Sequence, residues 1–428
     1  MKTFDLKYGK TKVQLTLSEE RVVEVVEGSA YPPIEDQATA FVEALNNPVG
    51  TPALKDIVKA GETVCIVVSD VTRAFIGYPN FLPLLLNYLN EQGIPDKDIF
   101  LLIALGNHRF MTDVEISATY GEETARRVRV EQSCGKDPAC KFRQIGMSSV
   151  GVPIEINEFA LDADRVILTG ATIYHLLAGF GGGRKAIIPG IASTRSIQGN
   201  HSLCLRDEGG ILEEIKSGNT ETNPVNVNML EFGEALNADF LINTVHTAEG
   251  KVARYATGHW QLAWEDAQNT VREIMGVPIK ALADCVVATA GGFPKDINLY
   301  QSVKTQDNAW QAAKEGGVLI LLLELSDIRE PEEFFDWFRY PTLEEHEAAL
   351  RLDFTIPGFV ALAMRTVLQR FPHIIVTEEM NRAILEEVGF NYAATVEEAM
   401  TKAEAIIGRP DFTVTVMPQG ANTLPLLK

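Results

Sequence analysis

The chain is short of positive charge. Its 428 residues hold 38 Lys and Arg against 58 Asp and Glu, a formal net charge of −20. A surface that acidic repels phosphate backbones and anionic lipid, so neither nucleic acid nor a membrane is expected as a general partner. Long hydrophobic runs are missing as well. The longest, Ile99–Leu105 and Val318–Leu323, have the length of buried strands and are far too short to span a bilayer. The opening stretch MKTFDLKYGKTKVQLTL has no apolar core behind its charges, so no secretion signal is expected. Cysteine is sparse: residues 65, 134, 140, 204 and 285 form an odd set without short paired spacing. That usage implies a reduced, cytoplasmic compartment and no disulfide framework. There is no His-Glu-x-x-His motif and no Cys/His set with zinc spacing, so a structural or hydrolytic zinc site is not indicated. Internal repeats and low-complexity tracts are also lacking.

What is present is ample apolar material, 46% of the residues, arranged in a regular alternation. Disorder is excluded as the dominant state. Near the start, Phe4, Leu6 and Tyr8, then Val13, Leu15 and Leu17, alternate with polar residues around Gly9-Lys10, a strand-turn-strand pattern. Further on, short apolar runs begin near residues 64, 99, 165, 239, 284, 318, 374 and 412. They alternate with amphipathic stretches such as 81–92, 114–130, 261–274 and 309–315, each expected as a helix. This is the signature of an α/β protein with largely parallel sheets. Gly276 and Pro278 break a helical pattern before a new strand. We therefore expect two α/β domains, 1–274 and 275–428. In such sheets ligands bind just beyond the C-terminal ends of the strands.

Four polar clusters lie at those positions. The densest is His175-Leu-Leu-Ala-Gly-Phe-Gly-Gly-Gly-Arg-Lys185, where glycines 179, 181, 182 and 183 can bring backbone N–H groups close to an anion. It is not a P-loop: Arg184 replaces the second glycine and Ala186 the magnesium-binding hydroxyl, which counts against a nucleoside triphosphatase. Of the seven histidines, His108, His175 and His201 occur in polar, glycine-flanked segments. Imidazole can move protons at neutral pH or ligate a metal. His346 is expected on a solvated helix, His259 and His373 as structural residues, and His246 is undecided. The third cluster, Ser69-Asp70-Val71-Thr72-Arg73, follows a strand and would also serve as a helix cap. In the fourth, GGFPKDINLYQSVK at 291–304, Asp296 reads as an N-cap, while Tyr300, Gln301 and Lys304 share a helical face that can hold a carboxylate.

Together these segments resemble the nickel-dependent lactate racemase family of 2-hydroxyacid racemases and epimerases. The matching pieces are SDVTR at 69–73, GNHRFMT at 106–112, HLLAGFGGGRKAIIPG at 175–190, His201, and the 291–304 segment. The resemblance implies a nickel pincer nucleotide, a Ni(II)-pyridinium-3,5-bisthiocarboxylic acid mononucleotide, tethered at Lys185, with His201 as the protein ligand to nickel. It implies His108 and His175 as the two acid–base residues, and Asp70, Val71, Thr72 and Arg73 as cofactor-contacting. It implies Gln301 and Lys304 as substrate-binding, with Arg73 and Tyr300 as neighbours, so that 1–274 would be the cofactor-binding and catalytic domain, 275–428 would contribute substrate-binding residues, and the active-site cleft would lie between them. The reaction implied is reversible hydride transfer from the substrate through a 2-keto acid, and the partners are a small 2-hydroxy acid and the cofactor-maturation enzymes. Asn107 and Phe110 stand where many relatives have Thr and Pro, and Gly181 where Ser is common. These departures spare the implied bases and ligands but leave the substrate open. Two other readings remain: a nucleotide-dependent kinase or ligase using the glycine loop, and a non-catalytic cofactor carrier.

Overall fold

The computed structural model describes all 428 residues, and they divide into two compact units. One unit comprises residues 30–203 and 219–271. Its centre is a six-stranded sheet in the order Val252–Gly258, Phe240–His246, Arg165–Ala171, Val64–Ser69, Ile99–Gly106, Arg129–Cys134. Only the first pair is antiparallel; the other neighbours run parallel. The strands are nearly continuous apolar runs because both faces of a parallel sheet are covered. Helix Tyr78–Glu91 shows how one face is closed. Phe81, Leu82, Leu85, Leu86 and Leu89 are fully buried against Ile66, Val68, Leu101 and Ile103 of the strands. Each such side chain contributes roughly 1.5–3 kcal/mol relative to exposure.

The other unit comprises residues 1–29, 204–218 and 272–428. Its six-stranded sheet is parallel throughout, in the order Asn391–Ala393, His373–Val376, Ala313–Leu322, Ala283–Thr289, Val414–Met417, Val22–Val25. The N-terminal hairpin of Lys2–Tyr8 and Thr11–Leu17 turns through Gly9, at φ +52°, as the alternation predicted. Its inward Phe4, Leu6, Leu15 and Leu17 join the core of Cys285, Val287 and Ile320.

The architecture is the expected mixed α/β with large parallel sheets, but the expected single cut after residue 274 is amended. Residues 1–29 belong with the C-terminal half because Val22–Val25 pairs with Val414–Met417 and the hairpin packs on that sheet. Local expectations are corrected at four places. The helix expected over 114–130 is two helices, Asp113–Tyr120 and Glu122–Arg127, separated at Gly121 (φ +87°) and followed by strand Arg129–Cys134. Residues 309–315 are a short turn running into strand Ala313–Leu322; the helix precedes them at Leu299–Ala309. Its N-cap is Asn298, whose side chain accepts from Gln301 N, whereas Asp296 accepts from the backbone N–H of Gly9. His346 is buried, bonded to the Gly358 carbonyl and stacked on Trp337. No helix is long and apolar enough to cross a membrane.

Candidate active site

Parallel strands end at one edge of their sheet, so their C-terminal loops become neighbours. Along this edge the loops follow strands Phe240–His246, Arg165–Ala171, Val64–Ser69, Ile99–Gly106 and Arg129–Cys134. They deliver, in that order, His246, His175, Asp70 to Arg73, His108, and Cys134. Asp70 and His246, 176 positions apart in sequence, are thereby brought to one edge by register alone.

Asp70 is almost fully buried and accepts from Thr72 N at 3.0 Å, Thr72 Oγ1 at 2.5 Å and His108 Nδ1 at 2.5 Å. It therefore does cap the following turn, as its position predicted, and also faces a histidine. Burial would raise its carboxyl pKa, but the bonds from His108 and Thr72 and the charge of Arg73 outweigh it and hold it below the usual carboxylate range. An ionised Asp70 keeps the imidazole proton on Nδ1 and leaves His108 Nε2 as the basic nitrogen. The His108 side chain is 52% exposed, so that nitrogen is reachable.

The loop carrying His108 is clamped from strand Arg129–Cys134. Cys134 Sγ donates to the His108 carbonyl at 3.2 Å, Gly135 N to the Gly106 carbonyl at 2.6 Å, and the Gln132 amide exchanges two bonds with the Met111 backbone. Asn107 accepts from Thr194 Oγ1 at 2.7 Å, tying the same loop to helix Thr194–Ser202, which bears His201. None of these clamps was singled out in the sequence, since each needs a partner from a distant segment.

His175 lies in a two-residue strand, Tyr174–His175, paired with Gly179–Phe180. Its Nδ1 accepts from Leu177 N and Ala178 N at 3.2 and 3.3 Å. The ring proton therefore belongs on Nε2, which stands 2.8 Å from Lys185 Nζ. That contact is favourable when the amine is the acceptor, that is, neutral. Consistently, burial and the charges of Arg73 and Arg184 push the Lys185 pKa well down.

Lys185 is presented by the turn Gly183–Ala186, and the glycines before it are packing residues. A Cβ on Gly179 would meet the Asn219 carbonyl at 2.1 Å, one on Gly182 the Asn243 amide at 2.4 Å, and one on Gly183 the Trp264 ring at 2.6 Å. Gly182 and Gly183 also adopt φ of +72° and +54°. The run is thus pressed against protein, which removes the open phosphate cradle that a kinase or ligase reading required. Arg184 is the keystone of the turn. It is fully buried, bonds Asn226 and the carbonyls of Phe180, Gly182 and Ala178, and lies 3.8 Å from the Trp264 ring.

His201 is buried on helix Thr194–Ser202. Asn200 spends its amide N–H groups on the Val225 carbonyl and Asn228, so its oxygen accepts from His201 Nδ1 at 3.0 Å. Burial, with the nearby Lys185, pushes the His201 pKa down to about 3. A neutral imidazole with its proton fixed on Nδ1 is the metal-ligating form. No group of three or more His, Cys, Asp or Glu can hold a metal ion anywhere in the chain. A metal at His201 would take its remaining donors from outside the protein. The residues thus fit a prosthetic group that brings its own donors and an acyl group for an amine: a neutral imidazole and a lysine whose pKa burial pushes down.

Tyr300, Gln301 and Lys304 lie on helix Leu299–Ala309 of the other unit. Tyr300 meets the Phe334 ring edge-on at 5.8 Å. Lys295, from the same motif, was not singled out in the sequence; partial desolvation and the charges of Lys304 and Lys7 push its pKa down. This basic cluster is the local exception that an anionic substrate needs on so acidic a chain. Residues 70–73, 108, 175, 185 and 201 lie in one unit and 300–304 in the other.

The sequence matches the family model of the lactate racemase N-terminal domain over residues 8–211 and that of the lactate racemase C-terminal domain over 279–424. A lactate racemase of Thermoanaerobacterium thermosaccharolyticum is 30% identical, with 99% of both chains covered. One of Lactiplantibacillus plantarum is 28% identical, covering 99% of this chain and 100% of that one. The solved lactate racemase apoprotein of T. thermosaccharolyticum superposes with a TM-score of 0.88 at 29% identity, covering 99% of this chain and 100% of that one. A Thermotoga maritima protein shares the fold at TM-score 0.64 and 19% identity, over 93% of this chain and 100% of its own.

Proposed function

Since the chain belongs to the lactate racemase family, we propose that it is an isomerase that interconverts the enantiomers of lactate or a related 2-hydroxy acid, using a nickel pincer nucleotide tethered at Lys185 and ligated by His201. The observation that carries this reading is the placement of two imidazoles on strands flanking the one that ends in Asp70. His108 follows Ile99–Gly106 on one side and His175 follows Arg165–Ala171 on the other.

When bound, the nickel pincer nucleotide supplies an electrophilic acceptor for the hydride of the substrate Cα, which is too weak an acid for direct deprotonation. The protein's part is proton transfer and orientation. His108 Nε2, with its tautomer fixed by Asp70, takes the hydroxyl proton of one enantiomer; His175, whose Nε2 carries the ring proton beside Lys185, is assigned the corresponding part for the other on the family pattern. The resulting planar 2-keto acid is reprotonated at oxygen by the opposite imidazole as its other face is reduced. Positioned general bases of this kind contribute about 10²–10⁴-fold each. Arg73, exposed on the turn after Asp70, is assigned to the substrate carboxylate, with Thr72 and Val71 lining the cofactor side. The assignment of Tyr300, Gln301 and Lys304 to substrate binding rests on the family pattern and the lysine cluster around them.

The test is production together with the cofactor-maturation enzymes, followed by intact mass, nickel content and chiral chromatography of lactate. The expected result is a sulfur-containing adduct on Lys185, about one nickel per chain and interconversion of enantiomers. An unmodified Lys185 in protein that still racemises would overturn the cofactor assignment. Adduct-bearing protein that interconverts no 2-hydroxy acid would overturn the enzymatic one and favour a carrier.

A further inference from the structure

The segment that leads into helix Leu299–Ala309 is held by the turn of the N-terminal hairpin, 287 positions away in sequence. Gly9 N donates to Asp296 Oδ2 at 2.6 Å, and Phe293 N donates to the Gly9 carbonyl at 2.8 Å. Gly9 makes both bonds from a left-handed φ of +52°, where a side chain would also run into the Glu324 carboxylate. Beside it, the Thr289 hydroxyl donates to the Lys7 carbonyl, and Lys10 Nζ lies 4.9 Å from the centre of the Phe293 ring. Asp296 is fully buried. Its backbone carbonyl accepts from Leu325 N at 2.9 Å, and the Ile297 carbonyl accepts from Asp327 N at 2.9 Å. Leu325 has a φ of +53°, a left-handed conformation that a non-glycine residue keeps only when its surroundings impose it. Asn298 then caps the helix by accepting from Gln301 N at 2.8 Å. All of these residues belong to one unit.

We propose that Asp296 is a positioning residue of the reaction: its buried carboxylate pins the hairpin turn to the loop before helix Leu299–Ala309, and so sets how Gln301 and Lys304 meet the substrate. This rests on the proposed function, which assigns those two residues to substrate binding. The helix is anchored differently along its length. Its C-terminal half bonds neighbouring segments directly, Gln306 Nε2 to the Met364 carbonyl at 3.0 Å and Asn308 Nδ2 to the Gly420 carbonyl at 2.8 Å. The N-terminal half, with Tyr300, Gln301 and Lys304, follows immediately on the loop built around Asp296. Groups that hold a substrate work only when their own supports fix them to a fraction of an ångström. The second carboxylate oxygen of Asp296, Oδ1, is buried without a partner. The side chain is thus committed to its one bond with Gly9, and loss of that bond frees the hairpin turn and the loop together. Leaving a buried acceptor unspent is costly, so a residue kept there on those terms calls for a function.

The experiment uses the full-length, cofactor-loaded protein as wild type, Asp296→Ala, Asp296→Asn and Gly9→Ala, with lactate or whichever 2-hydroxy acid the wild type turns over. Asp296→Ala is expected to raise KM about ten-fold or more while kcat changes by less than about three-fold, the mark of lost substrate holding with the chemistry intact. Asp296→Asn keeps an acceptor for Gly9 N and should bring KM back to within about three-fold of wild type. Gly9→Ala breaks the same clamp from the hairpin side and should raise KM as Asp296→Ala does. Hydrogen-exchange mass spectrometry reads the device without turnover: in Asp296→Ala and Gly9→Ala, exchange should rise over 297–304 and stay unchanged in helix Tyr78–Glu91. An unchanged KM in Asp296→Ala, a loss confined to kcat, or an Asn variant as impaired as the Ala variant overturns the proposal. If Asp296→Ala does not fold, Gly9→Ala against wild type decides by the same two readouts. If the wild type turns over no 2-hydroxy acid, the proposed function has failed instead, and the exchange pattern alone decides whether Asp296 orders the start of the helix.

Discussion

In the sheet containing Val64–Ser69, the polar groups at the strand ends face one another as side chains: Asp70 with His108, and His175 with Lys185. In the sheet containing Ala283–Thr289, the corresponding groups are tied to backbone. Thr289 donates to the Lys7 carbonyl, Asp296 accepts from Gly9 N, Thr377 donates to the Glu324 carbonyl and Asn381 to that of Leu325. Both sheets are six-stranded and mostly or wholly parallel. What separates them is how the polar groups at the edge are spent. One edge uses them to hold a hairpin and loops in place, and that unit's candidate ligand groups lie instead on helix Leu299–Ala309. The other keeps imidazole, carboxylate and amine in mutual contact with capacity left over, which is the condition for acid–base work.

The strongest way to break this contrast is to remove the reactive pairs. Lys185→Ala should show no adduct by intact mass and no measurable racemisation. His108→Ala and His175→Ala should each lower kcat by about 10²–10⁴-fold in both directions, because every turnover uses one imidazole as base and the other as acid. Rapid-mixing absorbance with each enantiomer should show that the two variants fail in opposite half-reactions. Asp70→Asn keeps the shape but no longer fixes the His108 tautomer. It should lower kcat by about 10–100-fold with a smaller change in KM.

Two further substitutions compare stability in the two units. Gly183→Ala forces a side chain into Trp264 at a positive φ; the expected loss is about 2–5 kcal/mol, read as a lowered urea midpoint. In the other unit, Asp307 is buried and bonded to Ser217 N and Oγ. Burial nevertheless raises its pKa to about 6, with the Ser217 and Trp310 bonds opposing. A folded-state pKa above the unfolded one means that ionisation costs stability. The advantage of the protonated form is present below about pH 4 and lost as pH rises to about 6. Asp307→Asn should flatten that part of the stability–pH curve, a difference on the order of 2–3 kcal/mol between its ends. The smallest effect should come from Cys134→Ala, which removes one weak donor to the His108 carbonyl; a several-fold fall in kcat is expected from a bond worth about 1 kcal/mol.

Strand positions were legible because parallel strands are continuous apolar runs, and the catalytic clusters because they follow those runs. What the sequence hid is long-range. No local signal ties Val22–Val25 to Val414–Met417, so the N-terminal segment could not be allotted to its unit. The expected helix over 114–130 overruns into strand Arg129–Cys134 because Arg129 and Val130 continue a polar–apolar pattern that also fits an amphipathic helix. His346 sits among charged residues in sequence, yet its burial depends on Trp337 and Gly358 from other segments. At the site, the residue types were readable, but their pairing was not. That Arg184 braces the turn while Lys185 is presented, and that the glycines serve packing, follow from contacts with Trp264, Asn243 and Asn226.

The strand Val22–Val25 leaves the ribosome long before its sheet neighbour Val414–Met417. At ordinary translation speeds that interval is roughly 20–80 s. The hairpin before it forms early, but Phe4, Leu6, Leu15 and Leu17 have no sheet to cover until the C-terminal half has emerged. Until then those four side chains lack their native cover. A stop codon a few residues before Val414 would strand the N-terminus as surely as it removes the C-terminus.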